Sequence, residues 1–211
     1  MIEDPVRAPG AVERRALLDA LAHAFRDNPM NVQIHGSDPR VRVRANRAGL
    51  RALVLDTENE AVARVITHGK RVVGGFIAVP PSGFPLPGPS IWRQIGCVVQ
   101  QGRRAIDRWG QVSLSLGQIH PTTDHWYLAV LGVVPWLQGR GFGSRLLDEL
   151  FRIAEDRPLY LESDRLASVE FYRARGFVDW AEAEFFDVRC WCLARGFPDE
   201  VRDLCDSVRE D

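Results

Sequence analysis

The sequence predicts an α/β fold, and three observations carry that reading. Short apolar runs of strand length alternate with stretches whose apolar residues recur at helical spacing. A buried strand, a glycine-rich turn and a helix N-terminus follow one another without a break over Trp126–Ala154. Near the C-terminus, Phe177–Phe186 and Val188–Ala194 read as a closing antiparallel pair.

Taken in order, Ala11–Arg26 carries Leu17, Leu18, Leu21 and Phe25 at helical spacing and predicts a first helix, stopped by Asp27-Asn28-Pro29. Arg40–Leu55 predicts a second, with Val41, Ala45, Ala48, Ala52 and Leu55 on one face. Its arginines at 40, 42, 44, 47 and 51 read as a solvated face and hint weakly at an acidic acceptor. Ala61–Thr67 and Arg71–Val79 predict a hairpin turning at His68-Gly69-Lys70, and the five prolines of Pro80–Pro89 predict an irregular surface loop. Trp92–Gln118 reads as one or two helices, built on Ile91, Ile95, Val98 and Val99, then Ile106, Trp109 and Val112. Trp126–Val134 is an apolar strand and Ser144–Ala154 an amphipathic helix. Pro158–Glu162 is a short strand, and Leu166–Arg175 a helix capped by Asp164 and ended by Gly176 at C′. Gly196–Asp211 is a polar tail with some helical character.

The chemistry concentrates between the strand and the helix, at Gln138-Gly139-Arg140-Gly141-Phe142-Gly143. A glycine turn running into a helix leaves backbone N–H groups unpaired, and the helix end adds partial positive charge. Together they form an anion site suited to phosphate. A P-loop is excluded because Gly143-Ser144-Arg145 has no lysine ahead of the hydroxyl. A dinucleotide fingerprint is disfavoured because the glycines run GxGxG late in the chain.

Two linked motifs then narrow the choice. Val133-Val134-Pro135 leads into Gln138–Gly143, and Phe171-Tyr172-Arg173-Ala174-Arg175-Gly176-Phe177 follows after a helix and a strand. Residues 125–177 thereby resemble the acetyl-CoA-binding core of the GCN5-related N-acetyltransferase (GNAT) superfamily. The resemblance implies a GNAT fold: a mixed, strongly twisted sheet with helices on both faces. The family's strands 4 and 5, here Trp126–Val134 and Pro158–Glu162, would splay apart to admit the pantetheine arm. It further implies one acetyltransferase domain over residues 1–211, with 80–120 as an insertion near the acceptor side and 196–211 as the tail.

Site residues follow from matched positions. The pyrophosphate of acetyl-CoA, the implied acyl donor, would rest on the amides of Gly139, Arg140, Gly141, Phe142, Gly143 and Ser144, beside Gln138. Pantetheine would pair like an extra strand with Val133 and Val134, and Leu131–Val134 would line the acetyl group. Tyr172 stands where the family's tyrosine protonates the departing thiolate, and a phenol with reference pKa near ~10 is protonated at neutral pH. Ser168 occupies the position, one helical turn before it, where the family often has asparagine. The strand Trp126–Val134 lacks the carboxylate many relatives use as base, which leaves Glu162, His120 and His125 as candidates.

Composition limits the alternatives. Hydrophobic residues at 45% and charged residues at 26% are ordinary for a globular protein. A net charge of −1 argues against nucleic acid or anionic membrane as partner. The start MIEDPVRAPG has no secretory pattern, so a cytoplasmic protein is expected. Cys190 and Cys192 flank Trp191 and would share a buried strand face, so no metal is expected. The expected partner is a small-molecule or peptide amine, and an exposed edge strand is compatible with a homodimer. Two other readings stay open: an acyl-CoA sensor without turnover, and a transferase using another acyl-CoA such as succinyl-CoA.

Overall fold

Strand alternation sorts the core into two layers. The computed structural model describes residues 5–55, 61–81, 83–85 and 91–198. β1 (Val62–His68) and β2 (Arg71–Val79) form an antiparallel hairpin, turning through Gly69 and Lys70 with positive φ at both. Phe76 and Ala78 of β2 face one side, where α6 (Phe142–Ala154) lays down Leu146, Leu147 and Leu150. Ile77 faces the other, against Leu17 and Leu21 of α1 (Ala11–Ala24) and Val54 of α3 (Pro39–Leu55). Gly132 lets α1 seat this closely, since a Cβ there would stand 2.8 Å from the Ala24 methyl.

β3 (Trp126–Val133), β4 (Leu159–Ser163), β5 (Val178–Phe185) and β6 (Val188–Arg195) complete a six-stranded sheet in the order β1-β2-β3-β4-β6-β5. Among the described residues only β3–β4 pairs in parallel, so the sheet is mixed, with helices on both faces as expected. Arg7 adds an isolated antiparallel bridge to Val65 on the outer edge of β1.

The splay has a visible cause. β3 and β4 share two register pairs, Trp126–Leu159 and Tyr127–Tyr160. Directly afterwards the register against β2 steps from Leu128 opposite Ala78 to Val130 opposite Ile77, leaving Ala129 as an extra residue. Such a bulge bends its strand, and here it turns β3 away from β4.

Local chemistry explains two departures from expectation and one agreement. Asp27-Asn28-Pro29 ends α1 but also starts α2 (Pro29–His35), with proline at the first helical position, where its missing N–H costs nothing. Asp164 does not cap α7 (Leu166–Arg173); Arg165 is the N-cap residue, without a side-chain bond. The Asp164 carboxylate instead accepts from the Met30 amide at 2.8 Å and from Asn28 Nδ2 at 2.9 Å, capping α2 from across the fold. Gly176 does close α7: its amide donates to Arg173 O and the Phe177 amide to Tyr172 O, the paired bonds of a Schellman ending.

Between β2 and β3 lie α4 (Ile91–Gln101) and α5 (Arg103–Ile119), separated by Gly102 at φ +83°. α4 meets α3, where Cys97 Sγ donates to Ala48 O. Leu116 and Ile119 of α5 pack on Tyr160, Trp180 and Cys192, and Trp180 Nε1 donates to Ile119 O at 3.1 Å. The expected tail falls largely on residues 199–211, and much of the proline-rich loop on 82 and 86–90, outside the described residues. Among the described residues no helix is long and apolar enough to cross a membrane.

Candidate active site

A cavity of about 540 Å³ occupies the gap between β3 and β4. Its donor end is made from β3, the glycine loop and α7. Its acceptor end is made from α2, α5 and the end of β4.

At the donor end the backbone does most of the work. Val134 N–H is already given to Val73 O at 2.9 Å, and alternation along the strand therefore turns the backbone of Leu131 and Val133 toward the gap. Leu131 and Val133 line the cavity, whereas the Val134 side chain is packed in the core. Gln138 folds back, donating from Nε2 to Val133 O at 2.9 Å, and its Oε1 faces Arg165 Nη1 at 3.5 Å across the gap. Gly139 and Gly141 take φ of +74° and +84°, values that favour glycine. Gly141 is the N-cap residue of α6, whose first internal bond is Arg145 N–H to Gly141 O. The amides of Phe142, Gly143 and Ser144 precede that bond and have no acceptor within the helix. Arg140 is exposed on the loop, and the Phe142 ring turns aside against His68. Arg175, which sequence reading passed over, donates to Ser144 Oγ at 2.6 Å and stacks 3.9 Å above Phe171. It places a cation beside the anion loop.

Tyr172 and Ser168 both face this cavity from α7, one turn apart. Tyr172 is only 7% exposed and packs edge-on to Phe171 and Phe177. Burial pushes its hydroxyl above the ordinary tyrosine range, so it holds its proton throughout neutral pH.

Glu162 lines the cavity from β4, while Tyr160, two residues earlier on the same strand face, is fully buried behind it. Tyr127 is close to Glu162; burial, reinforced by that carboxylate, keeps the phenol well above its usual range. His120 Nδ1 stands 3.7 Å from Glu162 Oε1, and His120 Nε2 is 3.0 Å from His125 Nε2. His125 is itself buried and lies outside the cavity lining, with burial holding its pKa below the ordinary value. The structure therefore gathers the three candidate bases into one array and puts only Glu162 at the cavity.

The α5 part of the remaining acceptor wall falls within residues 80–120, expected near the acceptor side, whereas the α2 part was passed over in the sequence. Met30 and Asn31 of α2 and Trp109, Val112 and Leu116 of α5 line this wall. Trp109 Nε1 donates to His35 Nε2 at 3.2 Å, and Arg108 donates to Gln33 O at 3.0 Å, tying α5 to α2 over the cavity. The available signal was Asn28-Pro29, which marks a helix start as well as a stop. Asp164 is held here too, its pKa raised by burial despite the bonds it accepts.

The α3 arginines do not reach this cavity. Arg42 is buried and donates to Arg26 O, Gly36 O and Asp27, and Arg47 pairs with Asp19 at 2.8 Å. The hint of an acidic acceptor is thereby withdrawn.

Residues 18–177 match the acetyltransferase (GNAT) family. A mycothiol acetyltransferase of Clavibacter michiganensis is 30% identical over 215 residues, covering 86% of this chain and 69% of that protein. A solved structure of histone acetyltransferase HPA2 and related acetyltransferase from Corynebacterium glutamicum superposes with a TM-score of 0.66 at 17% identity, covering 93% and 99% of the two chains. The PaiA N-acetyltransferase of Thermoplasma acidophilum, solved with coenzyme A, gives 0.57 at 10% identity, covering 93% and 100%. Glycine loop, splayed strands and sequence relatives agree: the chain belongs to the acetyltransferase (GNAT) family and is an acetyl-CoA-dependent acetyltransferase.

Proposed function

We propose that the enzyme moves acetyl from acetyl-CoA to the amine of a small molecule or peptide by direct attack in a ternary complex. The observation that carries this is the meeting of a carboxylate, Glu162, and a buried neutral phenol, Tyr172, in one cavity ending at the amide loop. The bound thioester supplies an activated acetyl group. Loop amides from Gly139 to Ser144, with Arg175 beside them, are suited to its phosphates, and the gap-facing backbone of Leu131 and Val133 to its pantetheine amides. Glu162 takes a proton from the acceptor ammonium, which is otherwise charged at neutral pH and cannot attack. Tyr172 gives its proton to the departing thiolate. α5, within the proposed 80–120 insertion, closes the acceptor side with Trp109, Val112 and Leu116, an apolar wall suited to the body of an amine rather than to an anion.

Calorimetry with acetyl-CoA, CoA, succinyl-CoA and NADH, followed by an amine panel with free-thiol detection, tests the reading. Micromolar acetyl-CoA binding and amine-dependent thiol release are expected. Binding without release for any amine would replace the transferase by a sensor, and a response to NADH alone would overturn the loop assignment.

A further inference from the structure

We propose that His120 is a proton-holding residue behind Glu162: its Nδ1 receives the proton that Glu162 takes from the acceptor ammonium. The proposal rests on the reading of Glu162 as base, and it comes from hydrogen-bond roles fixed in series by one backbone carbonyl.

A carbonyl oxygen can only accept. At 2.6 Å, Thr123 O obliges His125 Nδ1 to carry a hydrogen. Buried and neutral, His125 then has a bare Nε2. His120 Nε2, 3.0 Å from that nitrogen, must supply the hydrogen of their contact. A neutral His120 has no second hydrogen, so its Nδ1 is bare, and this is the nitrogen 3.7 Å from Glu162 Oε1. Two lone-pair groups facing each other repel. One added proton converts them into an imidazolium–carboxylate pair.

The other neighbours of His120 also suit a charged ring. Its Nε2–H already donates, and Phe84 stacks over its face with centroids 3.8 Å apart and planes 13° from parallel. Tyr127 and Tyr160 meet it at steep angles, and Asp124, Cys190 and Cys192 are the further titratable groups around the array. Burial keeps both tyrosines and Cys190 protonated, so none of those three competes for the proton as an anion at neutral pH.

The step balances. An N–H bond of the ammonium breaks and an O–H bond forms on Glu162, freeing the amine lone pair. The Glu162 O–H bond then breaks as His120 Nδ1–H forms, restoring the carboxylate beside an imidazolium. Transfer requires the 3.7 Å pair to close to hydrogen-bond distance.

Nitrogen-15 NMR of histidine-labelled wild-type enzyme is the first test. His125 is expected as the Nδ1–H tautomer and neutral His120 as the Nε2–H tautomer; either one reversed overturns the proposal, and this readout needs no variant to fold. The second test compares kcat/KM against pH for wild type, His120→Asn and Glu162→Gln. His120→Asn should lose about tenfold at neutral pH, with the deficit shrinking as pH rises and the acceptor deprotonates unaided. The KM for acetyl-CoA should hold. A uniform loss at every pH would mark a structural role only. An impaired Glu162→Gln beside an unimpaired His120→Asn would remove His120 and keep the base, whereas an unimpaired Glu162→Gln would remove the base itself.

Discussion

The two ends of the cavity are built by different means. Apart from the side chains of α7, the donor end is local: Leu131 to Ser144 supply its strand edge, its two positive-φ glycines and its free helix amides within a single run of chain. The acceptor end is assembled from α2, α5 and β4, with Asp164 capping a helix 134 residues away in sequence. A site made of backbone direction is fixed by glycine spacing, whereas a site made of side chains exists only once distant elements have packed.

Gly141→Glu should break the donor end outright. The position has φ +84° and carries the N-cap of α6, so a side chain there is strained by about 1–2 kcal/mol and would bring a like charge to the phosphates. A loss of at least ~100-fold in acetyl-CoA affinity by calorimetry is expected, about 2.7 kcal/mol. Near-wild-type affinity would mean the loop is not the anion site.

That contrast also explains what could be read in advance. The hairpin, the motif helix and the closing pair follow from periods and turns within each segment, and the structure reproduces them to within a residue or two. Gly176 was legible because a Schellman ending uses only neighbouring backbone groups. Asp164 was misread because its sequence position favours a local cap, while its partners Asn28 and Met30 come from the other end of the chain. Arg42 was misread for the same reason: its burial depends on the carbonyls of Arg26 and Gly36, which periodicity does not reveal.

Tyr172→Phe separates binding from chemistry at the junction of the two ends. Turnover should fall by about 100-fold with acetyl-CoA affinity nearly unchanged, because only a proton donor is lost. The pH dependence has a definite sign. A raised tyrosine pKa extends the protonated, active form upward, so wild-type turnover should show no fall attributable to Tyr172 up to pH ~10. A basic limb below that, absent from the phenylalanine variant, would contradict the burial argument.

Trp109→Ala should act on the acceptor end alone. It removes an apolar wall and the bond to His35 that ties α5 to α2. The acceptor KM should rise by roughly tenfold, about 1.4 kcal/mol, with acetyl-CoA affinity preserved. Equal damage to both substrates would show that the two ends are energetically one.

The smallest effect is the sharpest test of what makes the donor end legible. Gly143 lies within α6, in ordinary helical backbone, and a Cβ there would meet the Phe171 ring at 3.7 Å, an ordinary contact. Gly143→Ala should therefore keep acetyl-CoA affinity within about twofold, with alanine's better helix propensity offsetting any crowding. Gly141→Ala, which adds the same methyl at φ +84°, should weaken binding more, although a Cβ there meets nothing within 4 Å. If calorimetry gives the two alanine variants equal affinities, backbone conformation is not what the loop requires. If only Gly143→Ala is impaired, close approach of the ligand to the helix matters more than the left-handed turn, and the third glycine becomes the informative one.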